Sequence, residues 1–228
     1  MILAAGLGTR LKPFTDSHPK ALYMVYGKTL LEHALDHVKS AQITEVIVNV
    51  HHFADQIIDY LQLHHNFGLN ISISDEKFEL LETGGGLKKA AWFFDNCDTA
   101  LIRNVDILSD LDLFRMADFH LHSESIATLA VRNRETSRYF LFDDKMNLCG
   151  WENQKTGERR ISNETQTRSA FAFSGIQFID QAIFSLMIEE GKFSLTDLYL
   201  RLADTHKIAG YLDDGIVWKD VGRVTSDE

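Results

Sequence analysis

The sequence has little cysteine, little proline and no long hydrophobic run. Its 228 residues include 2 cysteines and 2 prolines. Cys97 and Cys149 lie far apart and have no Cys or His at a metal-ligand spacing, so we predict two reduced, packed thiols. No apolar run approaches the roughly 18 residues that a membrane span requires. The apolar start Met1–Ala5 stops at Gly6 without a basic leader, which argues against a signal peptide, and we expect a cytoplasmic protein.

Positive charge is also scarce. Lys and Arg number 23 against 33 Asp and Glu, which gives a formal charge of -10. Proteins that bind a nucleic-acid backbone usually carry the opposite sign, so we expect no nucleic-acid partner. A small anionic ligand remains compatible with this charge, because a few cations and backbone N–H groups can hold it locally. Hydrophobic residues make up 45% of the chain, which is typical of a globular protein and excludes disorder.

Short apolar runs alternate with helix-period stretches over the first half of the chain. Met1–Ala5, Val46–Val50 and Ala100–Ile102 have the composition of buried strands. Leu30 to Val38 carries apolar residues at helical spacing. Alternating strands and helices predict βαβ units, and therefore an α/β fold with a mostly parallel central sheet flanked by helices.

The pattern becomes less regular after about residue 135. Residues 153–167 are polar and predict a surface excursion. With no internal repeat and no linker, we predict a single domain over residues 1–228. The elements expected in this half are the strands Tyr139–Phe142, Leu148–Trp151, Ala170–Ile179, Ile208–Leu212 and Ile216–Trp218 and the helices Gln181–Glu189 and Asp197–Ala203.

The strongest motif is a glycine-rich loop directly after the first strand. Gly6 and Gly8 allow backbone N–H groups to approach an anion, and Arg10 and Lys20 add two cations that suit phosphate. The Rossmann fingerprint needs a third glycine where Leu11 stands, and the P-loop needs a Gly-Lys-Ser/Thr run that is absent here. The loop therefore predicts a phosphate site of another type.

Four motifs together resemble the sugar-1-phosphate nucleotidyltransferases, also called nucleotide-sugar pyrophosphorylases. The resemblance is greatest to the compact N-acetylmuramate-1-phosphate uridylyltransferases and the mannose-1-phosphate guanylyltransferase-like proteins. It implies a Rossmann-like fold in which residues 1–135 bind the nucleotide and residues 136–228 bind the sugar. The motifs are Gly6-x-Gly8-Thr9-Arg10 with Pro19-Lys20-x-Leu22, Leu81-Glu82-Thr83-Gly84-Gly85-Gly86, Phe173-Ser174-Gly175-Ile176 and Trp218-x-Asp220-Val221-Gly222.

The resemblance also implies roles for particular residues. Arg10 and Lys20 would be catalytic, Arg10 on the leaving pyrophosphate and Lys20 between the α phosphate and the sugar phosphate. Asp106 and Asp220 would bind Mg²⁺, a cation that carboxylates suit. Gly84 to Gly86, placed before a helix, would bring backbone groups to the base. The remaining substrate-binding candidates of the family pattern are Ala4, Ala5, Gly6, Gly8, Thr9, Glu82, Glu152 and Gly175.

Taken one at a time, these residues have plainer explanations. Lys20 alone would be a solvated surface lysine, Asp106 a turn residue and Asp220 a helix cap. The chain also departs from the family pattern at three places: Val105 precedes Asp106 where the family has glycine, Asn153-Gln154 replaces Lys-Pro after Glu152, and Arg223 stands where threonine is common.

Several functions remain open at this point. The partners implied are a nucleoside triphosphate and a sugar 1-phosphate, with no nucleic acid and no membrane, and the protein would be a monomer or weak homodimer. UTP ranks first and GTP second. The alternatives are a mannose-1-phosphate guanylyltransferase, a phosphocholine cytidylyltransferase-like enzyme and a non-catalytic nucleotide-sugar-binding regulatory protein. The presence of Arg10, Lys20, Asp106 and Asp220 argues against the last of these.

Overall fold

The computed structural model describes residues 1–213 and 217–222. The start of the expected strand Ile216–Trp218 and the residue Arg223 lie outside them. The strands are β1 Ile2–Leu3, β2 Met24–Val25, β3 Lys28–Thr29, β4 Glu45–Val50, β5 Asn70–Asp75, β6 Thr99–Asn104, β7 Ile107–Ser109, β8 Ala127–Arg132, β9 Arg138–Phe142, β10 Leu148–Asn153, β11 Glu158–Ile161, β12 Ser169–Asp180, β13 Ile208–Leu212 and β14 Trp218–Asp220.

The described α-helices are 8 to 11 residues long. Helix α1 begins where apolar residues start to recur at helical spacing, and it is capped by the Thr29 side chain, which accepts from Glu32 N. The helices are α1 Leu30–Ser40, α2 Ala54–Leu63, α3 Glu82–Lys89, α4 Leu113–His122 and α5 Leu195–Leu202. Among the described residues, no helix combines the length and the apolar character needed to cross a membrane.

The predicted α/β fold is confirmed. Seven strands form the central sheet in the order β5-β4-β1-β6-β12-β8-β13. Six of these run in one direction, and β12 runs antiparallel to its neighbours β6 and β8. The first half of β12 also pairs with β9, which continues into β10 and β11 as an antiparallel extension. A mostly parallel half and an antiparallel half therefore meet along β12.

Both faces of the sheet are covered, as alternate residues of β4 show. Val46, Val48 and Val50 pack in the cluster that includes α1 and α2. Ile47 points the other way, into the cluster that includes Leu87 of α3. Successive side chains of a strand point to opposite faces, so an apolar strand of this kind belongs to a sheet with helices on both sides.

The polar stretch 153–167 is largely exposed, as expected, and it contains the strand β11, which pairs with β10. Two other sequence-based expectations for local structure were wrong. Residues 181–186 form a 3₁₀ turn instead of the first part of an α-helix. The glycines Gly84 to Gly86 lie inside α3 and do not precede it. The prediction for the cysteines is confirmed, since both are free, with Cys149 buried and Cys97 partly buried.

Candidate active site

A cavity of about 590 Å³ opens at the carboxyl ends of the parallel strands. Leu3, Asn49 and Asn104, which end or nearly end β1, β4 and β6, line it. Open α/β sheets bind their ligands in such a crevice. The predicted site residues that line this cavity are Ala5, Gly6, Lys20, Glu82 and Asp106.

Three charged side chains from distant parts of the chain meet beside Gly222. The side chains of Lys20 and Asp106 are 11% and 13% exposed and form an ion pair. A Cβ atom placed on Gly222 would lie 2.6 Å from Asp106 Oδ2, 2.8 Å from Lys20 Nζ and 2.9 Å from Asp220 Oδ1. A side chain at position 222 would therefore displace these three charged groups from their present positions. A solvated surface position for Lys20 is excluded.

The β7–β14 pair brings the two aspartates together. Asp220 pairs with Ile107, the residue after Asp106, and Val221 N donates to Asp106 O at 3.0 Å. Asp106 occupies the turn between β6 and β7, so it is a turn residue as well as a member of the cluster. Asp220 is the last residue of a strand, and the alternative of a helix cap was wrong.

The donor set of this cluster fits a small divalent cation. Asp106 and Asp220 each place a carboxylate oxygen within 3 Å of the same point. Mg²⁺ is usually held by one or two carboxylates and completes its shell with water and substrate phosphate oxygens. In the part of the chain that the structure describes, no group of three or more His, Cys, Asp or Glu side chains offers a closed metal site.

The entry loop carries Lys20 close to its glycines. Gly8 has φ +62°, and a Cβ atom there would lie 2.8 Å from Lys20 Cβ and 2.9 Å from Thr15 Cγ2. The Thr15 hydroxyl donates to Gly8 O at 3.0 Å. Gly8 is therefore needed both for its backbone conformation and for the close approach of Lys20. Thr9 and Arg10 follow in a 3₁₀ turn, where both are exposed and outside the cavity wall.

A buried polar network behind the cavity was missed by the sequence analysis. Asn49 Oδ1 accepts from Ala4 N at 2.7 Å, and Asn49 Nδ2 donates to Glu76 Oε1 at 2.8 Å. The other oxygen of Glu76 accepts from Leu81 N at 3.1 Å. Asn49 and Glu76 are 2% and 1% exposed. The network joins the end of β1 to the start of α3. Its one signal in the sequence was Asn49, a polar residue inside the apolar strand 46–50.

The glycines of α3 allow close packing within the protein. Gly84 N and Gly85 N both donate to Phe193 O, at 2.9 and 3.2 Å. Cβ atoms on these two glycines would overlap the Phe193 ring and the Gly191 carbonyl oxygen. The neighbouring Glu82 and Thr83 line the cavity. Contact of Gly84 and Gly85 with a base stays a prediction, and the structure accounts for both residues by packing.

The second half of the chain forms the opposite wall of the cavity. Gln177 and Tyr199 are 2% and 1% exposed and line the cavity. Within the described residues, Gln177 Oε1 and the Tyr199 hydroxyl have no hydrogen-bond partner. Burial raises the pKa of Tyr199, so its hydroxyl keeps its proton. Buried polar atoms without partners are costly, and these two are placed to bond a ligand.

The structure does not bring Glu152 to this cavity. Glu152 pairs with Tyr139, whereas Arg138 and Phe140, one position to either side, line the cavity. Opposite residues of an antiparallel pair share a face, so Glu152 points to the other face of the sheet. Its carboxylate lies 3.7 Å from Arg159.

Gly175 allows an irregular backbone conformation within β12. It has φ +79° where the pairing of β12 shifts register, and a Cβ atom there would lie 2.6 Å from Ile107 Cγ1. The glycine therefore lets β12 pass close to the turn that carries Asp106.

A buried arginine supports the turn that carries Asp106. Arg103, 1% exposed, donates to the carbonyl oxygens of Asn104 and Ile107 on either side of that turn. It also donates to His37 Nδ1 at 2.7 Å, which leaves His37 Nε2 to donate to Leu111 O at 2.8 Å. Burial, with the Arg103 charge adding to it, lowers the pKa of His37 from 6.5 to about 4. The ring is therefore neutral at physiological pH.

Similarity to known proteins identifies the family of this chain. A family model described as "Nucleotidyl transferase" matches residues 1–226. The chain belongs to the nucleotidyl transferase family. One relative in it is the N-acetylmuramate alpha-1-phosphate uridylyltransferase of Caulobacter vibrioides, 50% identical over 40% of this chain and 38% of its own length. Another is the UTP–glucose-1-phosphate uridylyltransferase of Synechocystis sp., 29% identical over 98% of this chain and 60% of its own length.

The fold is shared with solved members of this group of enzymes. HddC of Yersinia pseudotuberculosis, solved as a complex with GMP-PN, superposes with a TM-score of 0.76 over 97% of this chain and 92% of its own, at 21% identity. At that identity the likeness concerns the fold. The chain spans 38% and 60% of the lengths of the two curated relatives, so the activity of a whole relative does not transfer to it without a test.

We predict that Glu76→Gln lowers the free energy of unfolding and that a second substitution restores it. Glu76 accepts a hydrogen bond at each carboxylate oxygen, and the substitution replaces one oxygen by an NH₂ group. That group would face Asn49 Nδ2 or Leu81 N, and the donor it faces would lose its hydrogen bond at a cost of about 1–3 kcal/mol. Adding Asn49→Asp restores all three hydrogen bonds with one of them reversed. The carboxylate at position 49 accepts from Ala4 N and from the side-chain NH₂ at position 76, and the side-chain oxygen at position 76 accepts from Leu81 N. Urea unfolding of both single variants and the double variant measures the coupling. Exposed Glu79→Gln is the control, and a double variant no more stable than Glu76→Gln would contradict the network.

We also predict a loss of stability on mild acidification that depends on His37. Below pH 6.5 the unfolded chain takes up a proton at His37, while the folded chain does so only near pH 4. Stability should therefore fall as the pH drops through this window, by about 2 kcal/mol from this residue between pH 7 and pH 5. His37→Gln should be less stable at pH 7 but lose less between the two pH values. The control is His122→Gln at an exposed position, and equal losses in wild type and His37→Gln would disprove the assignment.

Proposed function

We propose that this chain transfers a uridylyl group from UTP to a sugar 1-phosphate and releases pyrophosphate. The observation that carries the proposal is the cluster of Lys20, Asp106 and Asp220 at one end of a cavity whose other wall offers unpaired polar atoms. Family membership and the names of the relatives support the same reaction class. The presence of both the lysine and the two carboxylates favours an enzyme over a non-catalytic binding protein.

The first task of the site is to hold a triphosphate. Gly6 lines the cavity directly after β1, and Arg10 stands exposed four residues later in the same loop. Backbone N–H groups of a glycine loop bind phosphate oxygens, and a guanidinium neutralises the charge on the leaving pyrophosphate. We assign Gly6, Gly8, Thr9 and Arg10 to the triphosphate on this basis. Ala4 and Ala5 are both buried, and we assign their small side chains to the contact with the base.

The second task is to bring two anions together. An oxygen of the sugar phosphate attacks the α phosphorus, and the bond from that phosphorus to the bridging oxygen of the pyrophosphate breaks. Lys20 would leave its ion pair with Asp106 and place its ammonium between the two phosphates, where it offsets their repulsion. A Mg²⁺ ion held by Asp106 and Asp220 would supply further neutralisation of phosphate charge. Lys20 and Asp106 therefore exchange partners when substrates bind.

The third task is to bind the sugar. Gln177 Oε1 can accept from a sugar hydroxyl, and the Tyr199 hydroxyl can donate to one. Both lie in residues 136–228, which we assign to the sugar, whereas residues 1–135 supply the entry loop, Glu82 and Thr83 for the nucleotide. Asp220 is the exception to this division, because β14 returns to the nucleotide half.

We predict measurable pyrophosphate release with UTP, Mg²⁺ and a sugar 1-phosphate. The test is a panel of the four ribonucleoside triphosphates against several sugar 1-phosphates and phosphocholine, with pyrophosphate detected by a coupled assay. UTP should give the highest kcat/KM and GTP the next. Turnover of phosphocholine with CTP alone would replace this proposal by the cytidylyltransferase alternative. No turnover with any pair, despite triphosphate binding in calorimetry, would favour a regulatory protein.

We predict that each member of the charged cluster is required for this turnover. Asp106→Asn, Asp220→Asn and Lys20→Ala should each lower kcat by roughly 10²–10³, the cost of losing one group that stabilises developing charge. Lys12→Ala is the matched control, because Lys12 lies in the same loop but is 61% exposed and, among the described residues, pairs with exposed Asp16. Circular dichroism and thermal unfolding would verify that the variants fold. Wild-type turnover in any one of the three would remove that residue from the site.

A further inference from the structure

One buried arginine next to the Asp106 turn carries a charge without a carboxylate partner. Arg103 is 1% exposed, and no carboxylate of the described residues lies within ion-pair distance of it. Arginines are almost never fully buried without such a partner, because a charge is costly to remove from water. Burial lowers the pKa of Arg103 to about 10, against the opposing effect of the Asp106 charge, so the guanidinium is protonated at neutral pH. A buried cation kept at this cost indicates a role beyond packing.

The Arg103 donors are directed at acceptors around that turn. Nε donates to Asn104 O and one terminal nitrogen donates to Ile107 O, so a single guanidinium joins the residues on either side of the turn. The other terminal nitrogen donates to His37 Nδ1 at 2.7 Å and to Ala34 O at 3.5 Å, both in α1. The planar fork of arginine serves several acceptors in fixed directions, which the single ammonium of lysine does not. Arg103 therefore fastens the turn to α1.

The contact with Ile107 bears on both candidate metal ligands. Ile107 follows Asp106 in the chain and pairs with Asp220 across β7 and β14. Val221 N donates to Asp106 O in the same ladder, at 3.0 Å. A shift of Ile107 would therefore change the separation of the two carboxylates. Mg²⁺ requires near-ideal octahedral geometry, so such a shift would weaken its binding.

We propose that Arg103 is a positioning residue for the metal site, because it holds the turn in the conformation in which Asp106 and Asp220 can bind one divalent cation. Arg103 touches neither the cation nor the substrates. The proposal rests on the proposed nucleotidyl transfer, which assigns a Mg²⁺ ion to these two aspartates. Residues that hold metal ligands in place from behind typically contribute about 10–100-fold to metal affinity.

The test measures metal binding in variants of Arg103. Mn²⁺ is the probe, and the electron paramagnetic resonance signal of free Mn²⁺ reports binding to the full chain, with and without UTP. Arg103→Met has a side chain of similar length without donors or charge, and it should weaken Mn²⁺ binding by about 10–100-fold. Arg103→Lys keeps the charge but lacks the fork, so its loss should be smaller. Wild-type affinity in Arg103→Met, or tighter binding through relief of charge repulsion, would overturn the proposal.

Kinetics separate a role at the metal from a role at the substrates. In Arg103→Met, the Mg²⁺ concentration that gives half-maximal pyrophosphate release should rise by the same factor as the Mn²⁺ dissociation constant. The KM values for UTP and for the sugar 1-phosphate, measured at saturating Mg²⁺, should change far less. Equal increases in all three quantities would indicate a general disturbance of the fold and would overturn the assignment to the metal site.

Two further variants keep the test independent of folding. His37→Ala leaves Arg103 in place but removes the acceptor that orients it, so it should weaken Mn²⁺ binding by a smaller factor. If Arg103→Met does not fold, His37→Ala and Arg103→Lys decide the question. Thr128→Val removes a buried hydrogen bond to His120 Nδ1, away from the cavity wall, and should lower thermal stability without changing Mn²⁺ affinity.

The outcomes distinguish this inference from the proposed function. An equal loss of Mn²⁺ affinity in Thr128→Val would trace the effect to stability alone and overturn the role of Arg103, while nucleotidyl transfer stands. Arg103-dependent Mn²⁺ binding without turnover of any substrate pair would overturn the proposed function alone.

Discussion

The ion pair between Lys20 and Asp106 is the contact on which the rest of the site depends. Asp220 lies beside it, and two carboxylates this close would repel each other if the ammonium were absent. The three side chains come from the entry loop, the β6–β7 turn and the end of β14. Removal of Lys20 would leave two neighbouring carboxylates without a compensating charge, which is costly. Glycine at position 222 leaves room for this arrangement, because a Cβ atom there would lie within 3 Å of all three charged groups.

Two buried polar networks hold the segments that converge on this ion pair. Asn49 and Glu76 join the strand before the entry loop to the start of α3. Arg103 holds the turn that carries Asp106 and is itself braced by His37. Their polar atoms are satisfied within the protein, and such networks rigidify a fold when complete. The wall of the cavity formed by the first half of the chain is therefore organised before any ligand binds. The wall formed by the second half differs, since Gln177 and Tyr199 face the cavity with polar atoms available to a ligand.

The departures from the family pattern have structural explanations where they fall on described residues. Val105, which replaces a glycine beside Asp106, is 3% exposed and packs in the same core cluster as Ile107 and Val221. Its side chain is therefore buried in the core beneath the turn that carries Asp106. Asn153, which replaces a lysine, pairs directly with Arg138 across β9 and β10. The cation missing from one strand therefore stands at the paired position of its neighbour.

The amino-acid sequence by itself determined the fold class and the family. Apolar runs of period two and helices of period 3.6 are local signals, and a glycine loop followed by Arg10 and Lys20 is contiguous in the chain. Tertiary structure alone decided which charges meet and which faces of strands reach the cavity. Glu152 and Arg138 are both polar residues near strand ends, but a one-residue difference in register sends them to opposite faces. The Asn49–Glu76 and Arg103–His37 networks, and the packing of Gly84 and Gly85 against the 191–193 loop, join residues far apart in sequence, because burial leaves each polar group only the partners that folding places beside it.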